Sequence, residues 1–292
     1  MHTSSTLMIE ARELRRSFKT KEAVAGISFT ARQGEIFGLL GPNGAGKTTT
    51  IRLLTGQIDP SSGSAIVAGC DVVRERARLK QCIGVVFEEQ NLYERLPAYN
   101  NLAFSCWLYG LPNSRIDEVL EMVRLRDRAK DRVSTYSNGM KQRLMIARAL
   151  LHRPPMLFLD EPSRGLDPIS AREVRQAVQQ LCQEGMTILL TTHLMEEADQ
   201  LCSRVAFIVN GQLVANDTPR NLKIAHGERE ILVTLKEEQG EQSMRELTLH
   251  IDDAADQTQL AQWMAQGRVL AVHSREATLE EVFIEVAGVR PA

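Results

Sequence analysis

A chain of 292 residues, 43% of them hydrophobic, is long enough for one large domain and a smaller one. A net charge of −2 gives no electrostatic basis for nucleic acid as a main partner, and no apolar run nears the roughly 20 residues that span a bilayer. The N-terminus turns charged without the apolar core of a signal peptide, and the five cysteines (Cys70, Cys82, Cys106, Cys182, Cys202) never form a Cys-x-x-Cys pair, so they read as buried apolar groups in a reducing cytosol rather than a zinc site.

The segment "EIFGLLGPNGAGKTTTIRLLTG" predicts a buried strand at Ile36 to Leu40, a glycine-rich loop and a helix. Gly41, Pro42, Asn43, Gly44, Ala45 and Gly46 form a loop whose backbone N–H groups suit phosphate oxygens. Lys47 supplies a cation for the β- and γ-phosphates, and Thr48 or Thr49 a hydroxyl for Mg²⁺. Next comes the strand "CIGVVF", then Glu88 and, two residues on, Gln90. Residues 90 to about 132 carry helix-period apolar positions, with Leu120, Val123 and Leu125 on one face.

At "YSNGM" a polar turn opens a basic helix near Met140, where Ser137 is a natural N-cap and the helix N-terminus can face an anion. The run Met156 to Leu159 suits a central parallel strand covered on both faces. It ends in Asp160 and Glu161, two acids that can divide labour, one in a metal shell and one as a base for water. A further strand ends in Thr191-Thr192-His193, at the same sheet edge, where His193 is placed to meet a γ-phosphate. Beyond Asn216, "EREILVTLK", "RELTLHID" and "RVLAVHS" are strand-like, and "DQTQLAQWMAQ" and "TLEEVFIEVAG" helix-like, which predicts a small α+β appendage with Trp263 and Phe283 in its core.

In this order the motifs resemble those of the nucleotide-binding subunits of ATP-binding cassette (ABC) transporters, from Leu7 to about Pro219. "GPNGAGKTT" resembles Walker A, "MLFLDEP" Walker B and "SRGLDP" the D-loop. The resemblance implies an α/β P-loop fold: a RecA-like core with an antiparallel β subdomain and a helical subdomain at about 90–150, in an ATPase domain of residues 1–219. Residues 220–292 form the accessory α+β domain. It also implies Glu161 as catalytic glutamate, His193 as switch histidine, Phe18 as the aromatic stacked on adenine and Asp167 in the D-loop. "YSNGM" resembles the signature motif, so Ser137, Asn138, Gly139 and Met140 are expected to clamp the γ-phosphate held by the opposite copy of a homodimer. Asn138 and Met140 stand where that motif has Gly and Gln.

The cofactors so implied are ATP and Mg²⁺, with Thr48, Asp160 and Glu88 as metal contacts. Glu88 occupies the place of the family's Q-loop Gln, and either Glu88 or Gln90 fits that role. The partner implied is a separately encoded integral membrane permease, met through the helical subdomain, with "QNLYERLPA" as docking loop. The chain is then expected to be cytoplasmic and peripheral on the inner face of the membrane. The ending "ATLEEVFIEVAG" resembles that of efflux-type and drug-resistance ATPases, which favours an exporter. The rival is an ABC ATPase acting on ribosomes, DNA or assembly factors. A translation-factor type carries two cassettes where this chain has one P-loop, and a chromosome type has long coiled coils where Lys47 and Asp160 enclose no heptad run.

Overall fold

The computed structural model describes residues 6–226, 230–236, 244–275 and 277–288. The chain divides into two compact units, Met1–Thr218 and Pro219–Ala292.

In the first unit, β3 (Ile36–Leu40), β6 (Ile83–Val86), β7 (Met156–Asp160), β8 (Thr187–Thr192) and β9 (Arg204–Val209) run parallel in one sheet, with β10 (Gln212–Asp217) antiparallel at its edge. Its order is β10-β9-β3-β8-β7-β6. Every residue of β3, β7 and β8 is buried, which is why these stretches read as unbroken apolar runs. Because β3, β8 and β7 are neighbours, Leu40 pairs with Thr192 and Asp160 with Thr191. The three C-terminal strand ends therefore open at one level, the edge where sheets of this kind bind ligands.

A second sheet, antiparallel, has the order β2-β1-β4-β5, from β1 (Leu7–Phe18), β2 (Lys21–Arg32), β4 (Ser62–Val67) and β5 (Cys70–Asp71). Phe29 stacks on Phe37 at 5.1 Å between ring centres, joining the two sheets in one core. Such fully buried aromatic and aliphatic side chains each stabilise the fold by about 1.5–3 kcal/mol. The helical part comprises α3 (Ala98–Tyr109), α4 (Ser114–Met122) and α5 (Asn138–Ala149). Leu120, Val123 and Leu125 are all buried as expected, but α4 ends at Met122, so Val123 and Leu125 reach the core from the turn that follows. Arg115 closes the far end of α5, its guanidinium donating to the carbonyls of Leu150 (2.9 Å) and Leu151 (3.0 Å).

Residues 91–97 are tied down by polar contacts. Asn101, 2% exposed, accepts from Tyr93 N at 2.8 Å and donates to the carbonyls of Tyr93 and Pro97, both at 3.1 Å. Ser134 N donates to Glu94 O at 2.8 Å, Val133 N to Leu96 O at 3.0 Å, and Lys141 Nζ meets Glu94 Oε1 at 2.5 Å. The loop is thus fastened to the segment that leads into α5. Tyr93 and Leu96 are exposed rather than core, as are Phe104, Trp107, Leu108 and Tyr109 on α3. Of the cysteines, Cys70, Cys106 and Cys202 are buried and Cys82 and Cys182 half-buried, all as free thiols.

The second unit, taken by itself, has a sheet of order β12-β11-β13, from β11 (Glu230–Lys236), β12 (Met244–His250) and β13 (Val269–Arg275). Its helices are α8 (Pro219–His226), α9 (Ala254–Ala265) and α10 (Leu279–Ala287). Val233, Leu235 and Leu249 form the core, with Trp263 packed against it. Thr278 and Glu281 form a reciprocal capping box at the start of α10.

Candidate functional site

The loop after β3 turns into α1 (Lys47–Leu54) through Gly46, whose φ of 113° and approach to Ala23 O (2.4 Å from where a Cβ would stand) exclude any side chain. No side chain caps this helix, so its first N–H groups stay available to a ligand. A cavity of about 580 Å³ opens here, within the usual range for ligand pockets. Pro42, Asn43, Gly44, Gly46, Lys47, Thr48 and Thr49 line it, with Phe18, Glu88 and Glu161. Gly41 and Ala45 are buried in the base of the loop instead. Phe18 is 45% exposed at the mouth, with the Arg16 guanidinium 4.6 Å from its ring centre on one side.

Lys47 is buried at 6% exposure, and its ammonium folds back onto its own loop, donating to Gly41 O at 2.6 Å and Pro42 O at 3.2 Å. It also stands 3.1 Å from Glu161 Oε1, an ion pair without hydrogen-bond geometry. Two phosphate-seeking features, a desolvated cation and uncapped helix N–H groups, therefore face one space together with a buried carboxylate oxygen lacking a donor.

Thr191 organises the acids. Its buried hydroxyl donates to Asp160 Oδ1 at 2.5 Å and accepts from Glu161 N at 3.2 Å, while Thr191 O accepts from the same N–H at 3.0 Å. These bonds hold Glu161 at a φ of 51°, a left-handed conformation uncommon for a residue with a Cβ. The turn aims the Glu161 side chain into the cavity, whereas Asp160, 1% exposed, stays at the strand end outside its lining. His193 Nδ1 meets Glu161 Oε2 at 2.8 Å, so the imidazole lies against the carboxylate.

Glu88 and Arg164 face each other across the mouth as an ion pair, both 44% exposed. Gln90 is exposed and outside the lining, so of the two Q-loop candidates only Glu88 borders the cavity. Among the described residues no three His, Cys, Asp or Glu side chains form a ready-made metal cluster. The hard oxygens of Thr48, Asp160 and Glu88 nevertheless suit Mg²⁺, which takes one or two carboxylates and completes its shell with phosphates and water.

The other motif residues lie apart from this cavity. Helix α5 begins at Asn138 with Ser137 as its N-cap, as the sequence suggests: Ser137 Oγ accepts from Met140 N at 3.2 Å. Ser137 and Asn138 are exposed and Met140 half-buried. Gly139 is buried where a Cβ would stand 2.5 Å from Ser170 Cβ. Asp167 caps α6 (Pro168–Gln183), accepting from Ile169 N at 3.1 Å and Ser170 N at 3.0 Å, and hydrogen bonds from Ser170 hold its carboxyl below the usual range.

Sequence reasoning missed Arg164, Lys21 and Thr191. Arg164 and Lys21 line the cavity, but neither belongs to a charge pattern that signals it, and Thr191 acts through partners distant in sequence.

The family model for ABC transporters matches residues 24–164. A fluoroquinolones export ATP-binding protein of Mycobacterium tuberculosis is 43% identical over 266 residues, covering 91% of this chain and 88% of that protein. A linearmycin resistance ATP-binding protein of Bacillus subtilis is 37% identical over 306 residues, covering 96% of this chain and 98% of that one. Among solved structures, cbiO1 from Clostridium perfringens, part of the ABC transporter complex cbiONQ, has a TM-score of 0.70 at 26% identity, over 76% of this chain and 92% of that one. This chain belongs to the ABC transporter family, as one of its ATP-binding, ATP-hydrolysing subunits.

Proposed function

We propose that the protein hydrolyses ATP in the cavity at Lys47 to drive export through a separately encoded membrane permease, working as a homodimer. The observation that carries the ATPase part is the buried Lys47 ammonium, held by loop carbonyls and Glu161 at the foot of an uncapped helix. Incoming β- and γ-phosphates outcompete those carbonyls for Lys47 and take the free N–H groups of α1, while adenine stacks on the face of Phe18 away from Arg16. Thr48, Asp160 and Glu88 would hold Mg²⁺, which would supply charge neutralisation at the phosphates. Release of Lys47 leaves Glu161 free to accept a proton from water, and His193, hydrogen-bonded to it, orients that carboxylate.

Ser137, Asn138, Gly139 and Met140 lie outside the chain's own cavity, which supports their role as a clamp on the phosphate held by a second copy, with Asp167 beside them at that contact. Export rests on the names of the relatives, which include drug export and resistance subunits. Among the described residues no helix is long and apolar enough to cross a membrane, so transport needs a partner. The exposed Tyr93, Leu96, Phe104 and Trp107 are our candidate docking face for it, a reading their exposed apolar surface supports, with the protein working on the cytoplasmic side of the membrane.

The test is to co-express the chain with the multispanning protein encoded beside it, reconstitute both in vesicles and measure ATP-driven cargo movement. A complex whose ATPase rate rises with cargo is expected. A chain that hydrolyses ATP alone and neither binds nor responds to such a protein contradicts the transport role.

A further inference from the structure

Phe18 stands at the mouth of the cavity with one face of its ring already covered. The cover is the Arg16 guanidinium, 4.6 Å from the ring centre, within the roughly 6 Å at which the negative face of an aromatic ring attracts a cation. Phe18 lines the cavity and Arg16 does not, so the ring has the cation on one side and the cavity on the other. The adjacent arginine is placed differently: Arg15 pairs with Glu22 at 3.0 Å. Among the described residues no carboxylate pairs with the half-buried Arg16, and its buried Nε has no hydrogen-bond partner. A charge withdrawn from water without a counter-ion is costly, which calls for a use for it.

The guanidinium is braced from behind. Arg16 Nη1 donates to Asp59 O at 2.8 Å, and the Asp59 carboxylate is itself taken by Arg76 at the start of α2 (Arg76–Cys82). The end of β1 is tied to the same segment twice more: Ser61 N donates to Arg15 O at 2.8 Å, and Ser17 N to Ser61 Oγ at 3.1 Å. That segment joins α1 to β4, and α1 is the helix whose uncapped N-terminus faces the cavity. The ring at the mouth and the loop at the base are thus linked through one short stretch of chain. A side chain as exposed as Phe18 loses freedom when a ligand stacks on it, unless something already holds it.

We infer that Arg16 is a positioning residue for the nucleotide base: its guanidinium, braced on the Asp59 carbonyl, holds the Phe18 ring in the attitude that receives adenine. The inference rests on the proposed role of Phe18 as the adenine platform. Two effects follow from the geometry. Restraint of the ring before the nucleotide arrives removes part of the ordering cost of binding. A cation on the far face also draws the π electrons of the ring towards itself, which weakens the repulsion between the negative faces of two stacked rings. Lysine would supply the charge alone, because an ammonium is a compact point charge with no plane to lay against a ring. Both effects act on the base and neither acts on the phosphates.

The test measures kcat, KM for ATP and the inhibition constant of inorganic tripolyphosphate, which carries the phosphates without a base, in the full chain. Arg16→Met keeps the length of the side chain and removes its charge. It is expected to raise KM by about 3- to 10-fold, the cost of ordering one side chain on binding, and to leave kcat and the tripolyphosphate constant unchanged. Arg16→Lys recovers part of that rise. In Phe18→Ala the base has no platform, so KM is raised already and adding Arg16→Met raises it no further. Three results overturn the inference: unchanged KM in Arg16→Met, a rise matched by equally weakened tripolyphosphate inhibition, or a further rise on top of Phe18→Ala. Should Arg16→Met not fold, Arg16→Lys decides by the same two constants. An unchanged KM in Phe18→Ala removes the adenine platform itself, a result distinct from one in which Phe18→Ala raises KM and Arg16→Met does not.

Discussion

Lys47 and Glu161 form a buried ion pair, 3.1 Å between Nζ and Oε1, with side-chain exposures of 6% and 4%. The cation for the phosphates and the carboxylate for the water neutralise each other before ATP arrives. Lys47→Ala is expected to do two things: ATP affinity falls sharply, and the buried Glu161 loses its Lys47 partner and keeps only the His193 contact on Oε2, which lowers stability by less than the about 3–5 kcal/mol of a fully broken buried pair. Adding Glu161→Gln returns much of the stability and none of the affinity. Thermal melts and isothermal titration separate the two, and unchanged ATP affinity in Lys47→Ala would sink the phosphate cradle.

Glu161→Gln in the native background keeps ATP binding and lowers the hydrolysis rate by about 10²- to 10⁴-fold, the usual loss with a general base. Uncleaved ATP then accumulates between Lys47 of one copy and Ser137 of the other, and light scattering after gel filtration reads an MgATP-dependent dimer. Ser137→Arg fills the place of the opposite phosphate and returns the protein to monomer. A dimer that survives Ser137→Arg rules out "YSNGM" as the clamp.

Glu88 carries its negative charge to the mouth of the cavity proposed to hold the phosphates, and Arg164 meets it there. At 44% exposure on both sides the pair contributes about 0–1 kcal/mol to stability, so its loss leaves the melting temperature nearly unchanged. The effect appears in catalysis: Glu88→Gln shifts the Mg²⁺ dependence of the ATPase, and Arg164→Ala raises KM for ATP by exposing an uncompensated charge. The double variant recovers part of that rise. Additive effects across the cycle, with coincident Mg²⁺ titrations, place both residues outside the metal and phosphate environment.

Thr191→Val preserves shape and removes the hydroxyl that Asp160 Oδ1 relies on. A buried acceptor left without its donor lowers stability by about 1–3 kcal/mol, and the displaced Asp160 weakens Mg²⁺-dependent turnover. Thr191→Ser keeps the hydroxyl and both properties. Urea denaturation and ATPase assays of the pair check this, and a fully active Thr191→Val removes Thr191 from the arrangement.

Gly139→Ala drives a methyl group to within 2.5 Å of Ser170 Cβ. The overpacked contact between α5 and α6 is expected to lower stability by about 1–3 kcal/mol, and Ser170→Gly in the same chain to relieve it. Denaturation midpoints measure both steps. The glycine here serves packing within the chain, whatever it later presents to a neighbouring copy.

The sequence made legible what is encoded over short distances. The strand, loop and helix around Lys47 announce themselves within some twenty residues because apolar run, glycines and lysine are contiguous. The strands of the second unit could be read from their own composition for the same reason. Thr191 and Asp160, or Arg164 and Glu88, meet only because the strand order brings distant ends together, and no local pattern marks either pair. Arg16 was hidden for another reason: in "ELRRSF" two adjacent arginines look alike, and only the fold pairs Arg15 with Glu22 and sets Arg16 against Phe18. In "LMEEAD", likewise, only the packing of α7 (Met195–Leu201) exposes Glu196 and buries Glu197.

The fastening of residues 91–97 to the lead-in of α5 makes a short lever. Glu94 is bonded to Ser134 and Lys141, on either side of Ser137, so Tyr93 and Leu96 are tied by direct contacts to the proposed clamp. The chain's own phosphate loop shares none of these bonds. In the proposed dimer, a permease pressing on one copy would therefore act first on the ATP held by the other, and each site would answer to a contact made across the interface.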